Sequence, residues 1–448
     1  MLKNRLLLVI LHLLSGFLLT VSIIPKIVAV LIMIYAIVDI FASKNNNNQA
    51  FLWTGYFVSS EVLLRMTGGT ISWEMIKYIT IIFLFIGIAV EKQSRGLPAI
   101  FWLYILLLLV GVAFSDIPAD ASLRKAVIFN LSGPISLGVS AMYFYNRSIE
   151  YNRFKEILYF ALLPVMSMLT LLYFRTPSLK EITFGSTANF EASGGFGPNQ
   201  VATALGFGIF LLATLLLLRG KITGSIYVDV FLLFYLIYRG LLTFSRGGIL
   251  TGFLAFLLLS LFYLVARGKI IELLKYIGIM FLFLLTIWVY STNVTGGMLE
   301  NRYLGRNSLG VEKKDMSSGR LDIFQEQLET FMDNPVFGIG VGSGKYLRKE
   351  EYEGEITAAS HNEMSRLLEE HGLIGLFSLL LLFYATTLNF FKQDMLYKGF
   401  VVGFATLWFL TINHSAMRIA FPGFIYGMSL INFYEDEDYD QELEVSKI

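Results

Sequence analysis

From Ser317 to Gly344 the chain reads SSGRLDIFQEQLETFMDNPVFGIGVGSG, and from Ser360 to Gly372 it reads SHNEMSRLLEEHG. These two runs form the second half of a polar insert that begins at about Ser291. On both sides of the insert the sequence is made mostly of apolar blocks, each of about the length that crosses a lipid bilayer. The insert is therefore the part of the chain in which chemistry in water is expected.

The composition indicates a membrane protein. Hydrophobic residues make up 55% of the 448 residues, charged residues make up 15%, and the mean hydropathy is +0.64. A soluble fold cannot bury that much apolar surface, whereas a bilayer can. The formal net charge of +1 gives no indication of nucleic-acid binding, and the absence of cysteine excludes disulfides and thiolate metal sites. Four histidines do not favour a multi-histidine metal site.

Hydropathy predicts an all-α polytopic membrane protein with about 12–14 transmembrane helices and one long loop that contains short helices, and the resemblance described below implies that this loop is periplasmic. The predicted domains are a transmembrane region over 1–292 with about 11 spans, the loop over 293–372, C-terminal spans over 373–433 and an acidic cytoplasmic tail over 434–448. The predicted helices lie near 6–24, 27–42, 50–66, 73–90, 97–114, 124–145, 156–174, 199–218, 226–243, 247–266, 274–292, 373–391, 398–413 and 416–433.

The distribution of lysine and arginine predicts the orientation. Short loops on one side of the predicted spans carry more of these residues than loops on the other side, so the first side is predicted to be cytoplasmic and to hold both chain ends. The insert follows an odd number of spans and is predicted to face outward. The polar loop over 175–198 and the turn at Ser245-Arg246 are predicted to lie on the same outer face.

The insert is predicted to contain its own helix. Apolar residues recur at helical spacing from Leu321 to Phe331, and Asn334-Pro335 is expected to end the run. Such a helix is suited to lie on the membrane surface. The glycine-rich run over 338–344 predicts a flexible, backbone-exposed turn, with phosphate binding as the less favoured alternative because the run lacks the Gly-Lys-Ser/Thr of a nucleotide loop.

Ser360-His361-Asn362-Glu363 carries the strongest chemical signal. Ser360 and Glu363, three residues apart, match a capping box, which predicts His361 in the first turn of a helix. The helix dipole there disfavours the imidazolium and keeps the ring able to accept a proton. An ordinary surface histidine beside a helix cap is an equally good interpretation.

Several further polar residues are candidates for the site. Arg246 interrupts two apolar spans, which predicts either an anionic partner or an arginine that reaches toward lipid phosphate. Arg320 opens the insert helix against its dipole, so a nearby anion or a local salt bridge is expected. Asn199 and Gln200 begin a span and either bind sugar hydroxyls or cap the helix, with capping slightly favoured. Glu61 and Arg65 are predicted to pair within one helix, one turn apart.

These motifs, in this order, resemble the O-antigen ligase and polymerase superfamily of bacterial envelope glycosyltransferases. The resemblance extends from about Gly197 to Gly375, and its pieces are Gly-Pro-Asn-Gln from Gly197, Ser-Arg-Gly-Gly from Ser245, Ser-Gly-Arg from Ser318, Pro335 with Gly-Ile-Gly from Gly338, and His-Asn from His361. No single piece is specific, but the ordered set is.

The resemblance implies a metal-independent, inverting transfer of a glycan from an undecaprenyl diphosphate carrier, without a cofactor, at the outer face of the bacterial inner membrane. It implies that His361 is the general base and that Arg246 and Arg320 hold the diphosphate. On the same basis the expected substrate-binding residues are Asn199, Gln200, Ser318, Asn362 and Glu363. The implied partners are the lipid-linked glycan donor, a glycan or lipid A-core acceptor, and membrane lipids.

Two alternatives remain open at this point. A polymerase of O-antigen, capsule or exopolysaccharide uses the same donor chemistry as a ligase and differs only in its acceptor. A transporter or flippase of lipid-linked sugars belongs to another class and predicts charges at mid-membrane depth. The arginines of this chain gather toward one predicted face, which favours the enzyme.

Overall fold

The computed structural model of the protein describes residues 5–91, 98–119, 121–178, 181–185, 187–220, 222–313, 319–351 and 360–434. The α-helices in chain order are α1 Arg5–Leu18, α2 Ile24–Ser43, α3 Gln49–Thr67, α4 Met75–Val90, α5 Ala99–Val110, α6 Leu123–Phe144, α7 Tyr151–Arg175, α8 Pro198–Leu217, α9 Ile226–Leu242, α10 Arg246–Ala266, α11 Ile270–Val294, α12 Met298–Tyr303, α13 Arg320–Asp333, α14 Gly344–Glu351, α15 Glu363–Lys392, α16 Met395–Ser415 and α17 Phe421–Met428. A 3₁₀ turn, Gly111–Phe114, extends α5.

The fold is that of an all-α polytopic membrane protein, as predicted. Within the described ranges, seven helices are long and apolar enough to cross a bilayer, namely α2, α6, α7, α8, α10, α15 and α16. Every one of the predicted helical stretches contains a helix, but the stretch over 416–433 holds only the 8 residues of α17. A helix of that length cannot span a bilayer alone, so this predicted span is wrong. The polar turn before α17 shortens it.

The outer helices carry the apolar surface that a bilayer requires. Large side chains such as Leu31 on α2 and Phe281 on α11 are 61% and 67% exposed. An apolar surface of this kind is stable when lipid covers it. By contrast, α3, α7 and α8 are buried along most of their length and form the centre of the helical bundle.

Glycine allows three helices to meet closely beside the insert. A Cβ on Gly206 of α8 would lie 2.0 Å from the carbonyl oxygen of Gly248 on α10, and a Cβ on Gly252 would lie 2.1 Å from that of Gly206. Small residues at such a crossing let two backbones approach each other. α10 also packs against α16, so α8, α10 and α16 form one unit that carries the candidate site at its end.

The kink in α15 separates the insert from the span that follows it. Gly372 has φ 59° and ψ −139°, which breaks the helix into a first part over 363–371 and a second part over 373–392. Its backbone lies against Pro335 and Val336, leaving no room for a side chain. The only strands in the described part of the chain, Ser148–Glu150 and Asn432–Tyr434, pair in parallel.

Candidate active site

His361 lies just before a helix rather than in its first turn. The N-cap of α15 is Asn362, whose side-chain oxygen accepts hydrogen bonds from the backbone N–H groups of Met364 (2.9 Å) and Ser365 (3.2 Å). The predicted capping box is therefore wrong. Asparagine caps a helix as well as serine does, and Glu363 turns instead to a buried arginine.

The backbone around His361 is fixed from two sides. The His361 carbonyl accepts a hydrogen bond from the N–H of Ala416 at 2.9 Å, which ties the insert to the turn after α16. Ser360 accepts a hydrogen bond from the N–H of Asn362 at 3.1 Å and donates to Gln327 at the same distance. The ring is thus held on a short extended segment between the insert and the last helices.

A cleft of about 300 Å³ opens beside the ring. It is lined by Arg320, Leu321, Ile323, Phe324, Gln327, Ser360, His361, Asn362 and Asn413. The Nδ1 atom of His361 is buried and has no hydrogen-bond partner among the described residues. Burial first, and then the positive charges of Arg418 and Arg320, lower the pKa of His361 to about 3. The imidazole is therefore neutral at pH 7 in the free protein.

Three arginines gather next to this cleft. Arg246 begins α10, Arg302 lies in α12 and Arg320 begins α13. Burial lowers the pKa of Arg320, and the charge of Arg246 lowers it further. Burial likewise lowers the pKa of Arg302, with smaller contributions from Arg246 and Arg320. Guanidinium groups that are partly buried and destabilise one another in this way create a region of positive potential suited to a phosphate-bearing anion.

A fourth arginine, Arg418, contacts the segment that carries His361. Arg418, in the turn between α16 and α17, donates to the carbonyl of Ser360 at 3.1 Å. Its own carbonyl accepts hydrogen bonds at 3.2 Å from Arg65. Arg65 pairs with Glu61 at 2.6 Å, as predicted, and Glu61 also accepts from the N–H of Ala420 at 2.7 Å. The buried pair on α3 therefore holds the turn that presents Arg418.

The polar residues at the start of α8 connect to the same place. Asn199 donates to the His414 carbonyl at 3.1 Å and accepts from the Ser245 hydroxyl at 3.2 Å. Gln200 accepts from Arg65 at 3.1 Å. Neither side chain caps α8, so the favoured capping interpretation is wrong: each amide faces a neighbouring helix instead of its own backbone.

The His414 carbonyl is shared by two of the predicted site elements. It accepts from Asn199 and, at 3.4 Å, from Arg320 of the insert. The His414 ring lies against Gly247, where a Cβ would be 2.6 Å from the ring. Gly247 therefore lets α16 approach the start of α10, which brings Arg246 and Arg320 to one end of the bundle.

The remaining predicted site residues are placed differently. Glu363 is buried in an ion pair with Arg366 and does not line the His361 cleft. Asn362 lines the cleft, although its oxygen is used in the helix cap. Ser318 lies outside the described residues.

The glycine-rich run is a packed connection rather than the predicted exposed, flexible turn. Ile339 and Gly340 donate their N–H groups to the carbonyls of Glu369 and Glu370 at 3.0 and 3.1 Å, and Val341 donates to the carbonyl of Gly111 at 3.1 Å. The backbone of this run is thus paired with α15 and with the end of α5. Glycine is required there because of close packing and not because of flexibility.

Sequence reasoning missed Arg302 and the role of Arg418. Arg302 follows Gly296-Gly297, near the start of the insert that is predicted to face outward. The sequence signal for it was a basic residue shortly after the end of a predicted span. Arg418 is not among the residues that the sequence predicts for the site. Its approach to Ser360 depends on a contact between residues 58 positions apart, which the sequence does not reveal.

An apolar groove leads away from the arginines. Two adjoining cavities of about 450 and 340 Å³ lie among α8, α9, α10 and α11 and share Ile209, Ile237, Phe253 and Leu284 in their walls. At one end the groove is lined by Tyr303, which neighbours Arg302 in sequence and lies near Arg246. Such a groove is suited to an elongated apolar ligand.

The fold and the site define a polytopic, all-α membrane protein with a histidine-containing, positively charged cleft between its polar insert and its last helices. Residues 231–380, about a third of the chain, match the family model described as Wzy_C, O-antigen ligase. The matched stretch includes Arg246, Arg320 and His361. The match confirms the resemblance to the O-antigen ligase superfamily that the sequence predicts, over this part of the chain. No curated protein and no solved structure matches the chain.

Proposed function

We propose that the protein is a glycosyltransferase that moves a glycan from a polyprenyl diphosphate carrier, undecaprenyl diphosphate, to an acceptor hydroxyl. The observation that carries the proposal is the convergence of a neutral His361, whose Nδ1 has no hydrogen-bond partner in the described part of the chain, with Arg320 in one cleft, beside Arg246 and Arg302. The family match adds the expectation of glycan transfer.

The donor is bound by two kinds of surface. The diphosphate lies against the guanidinium groups of Arg246, Arg302 and Arg320, whose planar donors suit phosphate oxygens. The isoprenoid tail occupies the apolar groove that ends at Tyr303. In the proposed complex the first sugar of the glycan, which is attached to the diphosphate, faces His361.

The reaction is a direct displacement at the anomeric carbon. The acceptor hydroxyl oxygen attacks that carbon from the side opposite the diphosphate, its proton passes to His361, and the bond from the carbon to the diphosphate oxygen breaks, with inversion. The arginines stabilise the negative charge that develops on the leaving diphosphate. His361 acts as the general base.

Donor binding changes the pKa of the proposed base, His361. In the free protein the charges of Arg418 and Arg320 contribute to the low pKa of His361. A bound diphosphate offsets these charges and raises the pKa, because a nearby anion favours the imidazolium. His361 therefore becomes an effective base only when the donor is present, which limits the activation of water in the empty site.

The proposed location is the bacterial inner membrane, with the cleft on the periplasmic side. The distribution of lysine and arginine supports this orientation. The favoured acceptor is lipid A-core, which makes the protein an O-antigen ligase, and a polymerase that extends a glycan on its carrier is the alternative within the same superfamily. A deletion strain distinguishes them: unmodified lipid A-core with polymer retained on its carrier indicates a ligase, and single-repeat capping indicates a polymerase.

The test of the function is glycan transfer by purified protein from an undecaprenyl diphosphate donor in the presence of a chelator. The wild type is expected to transfer, and Arg320→Lys is expected to lose about 10- to 100-fold, since a lysine keeps the charge but cannot make a two-pronged contact with phosphate. Normal transfer by Arg320→Lys, with expression maintained, refutes diphosphate binding at this position.

A further inference from the structure

A second cleft lies on another side of the segment that carries His361. Its volume is about 360 Å³, close to that of the His361 cleft, and Ser360 lines both. The walls of this second cleft come mainly from α6, α14 and α15, and its lining residues include Lys125, Asn130, Lys345, Arg348, Arg366 and Glu370. It is therefore a separate cavity with its own set of charged side chains.

The two buried arginines of the second cleft already have their counter-charges. Arg348 pairs with Glu369 at 2.6 Å, and both side chains are almost fully buried. Arg366 is paired with Glu363 and with Glu370. The two arginines and three glutamates carry a formal net charge of −1 when all are ionised, so these buried ion pairs give a firm floor but offer no positive charge to a ligand.

The two lysines at the rim are different. The side chains of Lys125 on α6 and Lys345 on α14 are exposed, and neither forms a salt bridge with another described residue. The two ammonium groups change the formal charge of this set of side chains from −1 to +1, and at the mouth of the cleft they attract a compact anion such as a phosphate group.

Close packing and hydrogen bonds fix the position of the second cleft relative to the His361 cleft. Gly342 has φ 80°, and a Cβ there would lie 3.1 Å from Ala126 and from Asn130 on α6. Gln327 donates to Glu369 at 2.6 Å and accepts from Ser360 at 3.1 Å. A continuous set of hydrogen bonds thus connects the floor of the second cleft to the wall of the His361 cleft.

We propose that the second cleft binds a phosphate group of the acceptor and thereby directs the acceptor hydroxyl toward His361. The proposal rests on the proposed glycan transfer, and it assigns to the acceptor a site distinct from the arginines that bind the donor. The phosphate belongs either to a phosphorylated lipid A-core or to the diphosphate of a second carrier-linked glycan. Both present the same group to Lys125 and Lys345.

The test compares binding by the full-length protein in detergent. The variant is Lys125→Gln with Lys345→Gln, and the matched control is Lys26→Gln, an exposed lysine at the start of α2. The probes are lipid A with and without its phosphates, and undecaprenyl diphosphate, for which both affinity and stoichiometry are measured. Arg320→Gln, which removes a guanidinium group from the proposed donor site and leaves the lysines of the second cleft in place, is measured in parallel.

If lipid A supplies the phosphate, the double lysine variant binds phosphorylated lipid A roughly tenfold more weakly than the wild type, while dephosphorylated lipid A binds both equally. If a second carrier supplies it, the wild type binds two undecaprenyl diphosphates and the double variant binds one. The proposal is overturned if the double lysine variant binds both probes with the affinity and stoichiometry of the wild type. It is also overturned if Lys26→Gln loses as much binding as the double variant does. Failure of the donor site is seen separately, as unchanged undecaprenyl diphosphate binding by Arg320→Gln.

Discussion

Replacing Gln327 by glutamate is expected to separate the insert helix from α15. Gln327 is fully buried, donates to Glu369 at 2.6 Å and accepts from the hydroxyls of Ser360 and Ser365 at 3.1 and 2.7 Å. Glutamate has nearly the same shape and keeps the two hydroxyl contacts. It replaces the amide donor, however, with a second carboxylate oxygen facing Glu369.

The cost follows from the contact that is lost. A hydrogen bond to a charged group contributes roughly 1.5–3 kcal/mol, and two facing buried carboxylates add a repulsion that is relieved only by sharing a proton, so the total is about 3–5 kcal/mol. Because α13 carries Arg320 and Gln327 contacts Ser360, we expect the loss to appear in both thermal stability and glycan transfer.

The assay is thermal unfolding of the purified protein, with Gln325→Glu as the control because that residue is exposed on the same helix. The new carboxyl group has a raised pKa in the folded state, so the folded protein binds more protons than the unfolded chain. The deficit is therefore full above the raised pKa of the folded state, shrinks as the pH falls through that pKa, and is smallest below the pKa of an unfolded glutamate, about 4.3. A Gln327→Glu protein as stable as Gln325→Glu at pH 7 refutes this account of the α13–α15 contact.

Three further outcomes are expected. Gly247→Ala should reduce transfer strongly, because a Cβ there would lie 2.6 Å from the His414 ring, whereas Gly278→Ala, which has nothing within 4 Å of the added atom, should be harmless. The pKa of His361 is about 3 in the folded protein and 6.5 in the unfolded chain, so the unfolded chain binds more protons between these pH values. Lowering the pH from 6.5 should therefore destabilise the wild type more than His361→Gln. Equal destabilisation of the two proteins contradicts the neutral ring. The chain has no cysteine, so Ser308→Cys introduces a single thiol, which should react with a membrane-impermeant thiol reagent that is present in the periplasm. A thiol that reacts only after the cells are lysed contradicts the proposed topology.

Much of the helical framework could be predicted because hydropathy is a local property. Long apolar blocks gave the positions of the spans, and helical spacing gave α13 with its end at Asn334. The pair between Glu61 and Arg65 was predictable for the same reason, since residues four apart on a helix are neighbours. The short α17 was not, because the polar turn that replaces its first residues is stabilised by Glu61 and Arg65 from a distant helix.

The three main residues predicted for the site lie near one another in the structure, and their catalytic roles stay predictions, whereas the local geometry around them was not predicted. Order along the chain identified His361, Arg246 and Arg320, which the fold gathers at one end of the bundle. The prediction of the helix cap was wrong because both Ser360 and Asn362 can act as an N-cap. The choice between them depends on the contacts of Ser360 with Gln327 and of Glu363 with Arg366. Contacts between residues far apart in the chain produce no periodic pattern in a single sequence, so they could not be predicted.

The central claim is that His361 takes the proton of the acceptor hydroxyl. Its most direct measurement is the single-turnover rate of glycan transfer from donor to acceptor by purified wild type and His361→Gln, with donor binding measured on the same samples. Glutamine can hydrogen-bond but cannot accept a proton at the working pH, so the rate should fall by roughly 10² to 10⁴ while donor affinity stays within a few-fold. A rate close to that of the wild type contradicts the assignment of His361 as the base.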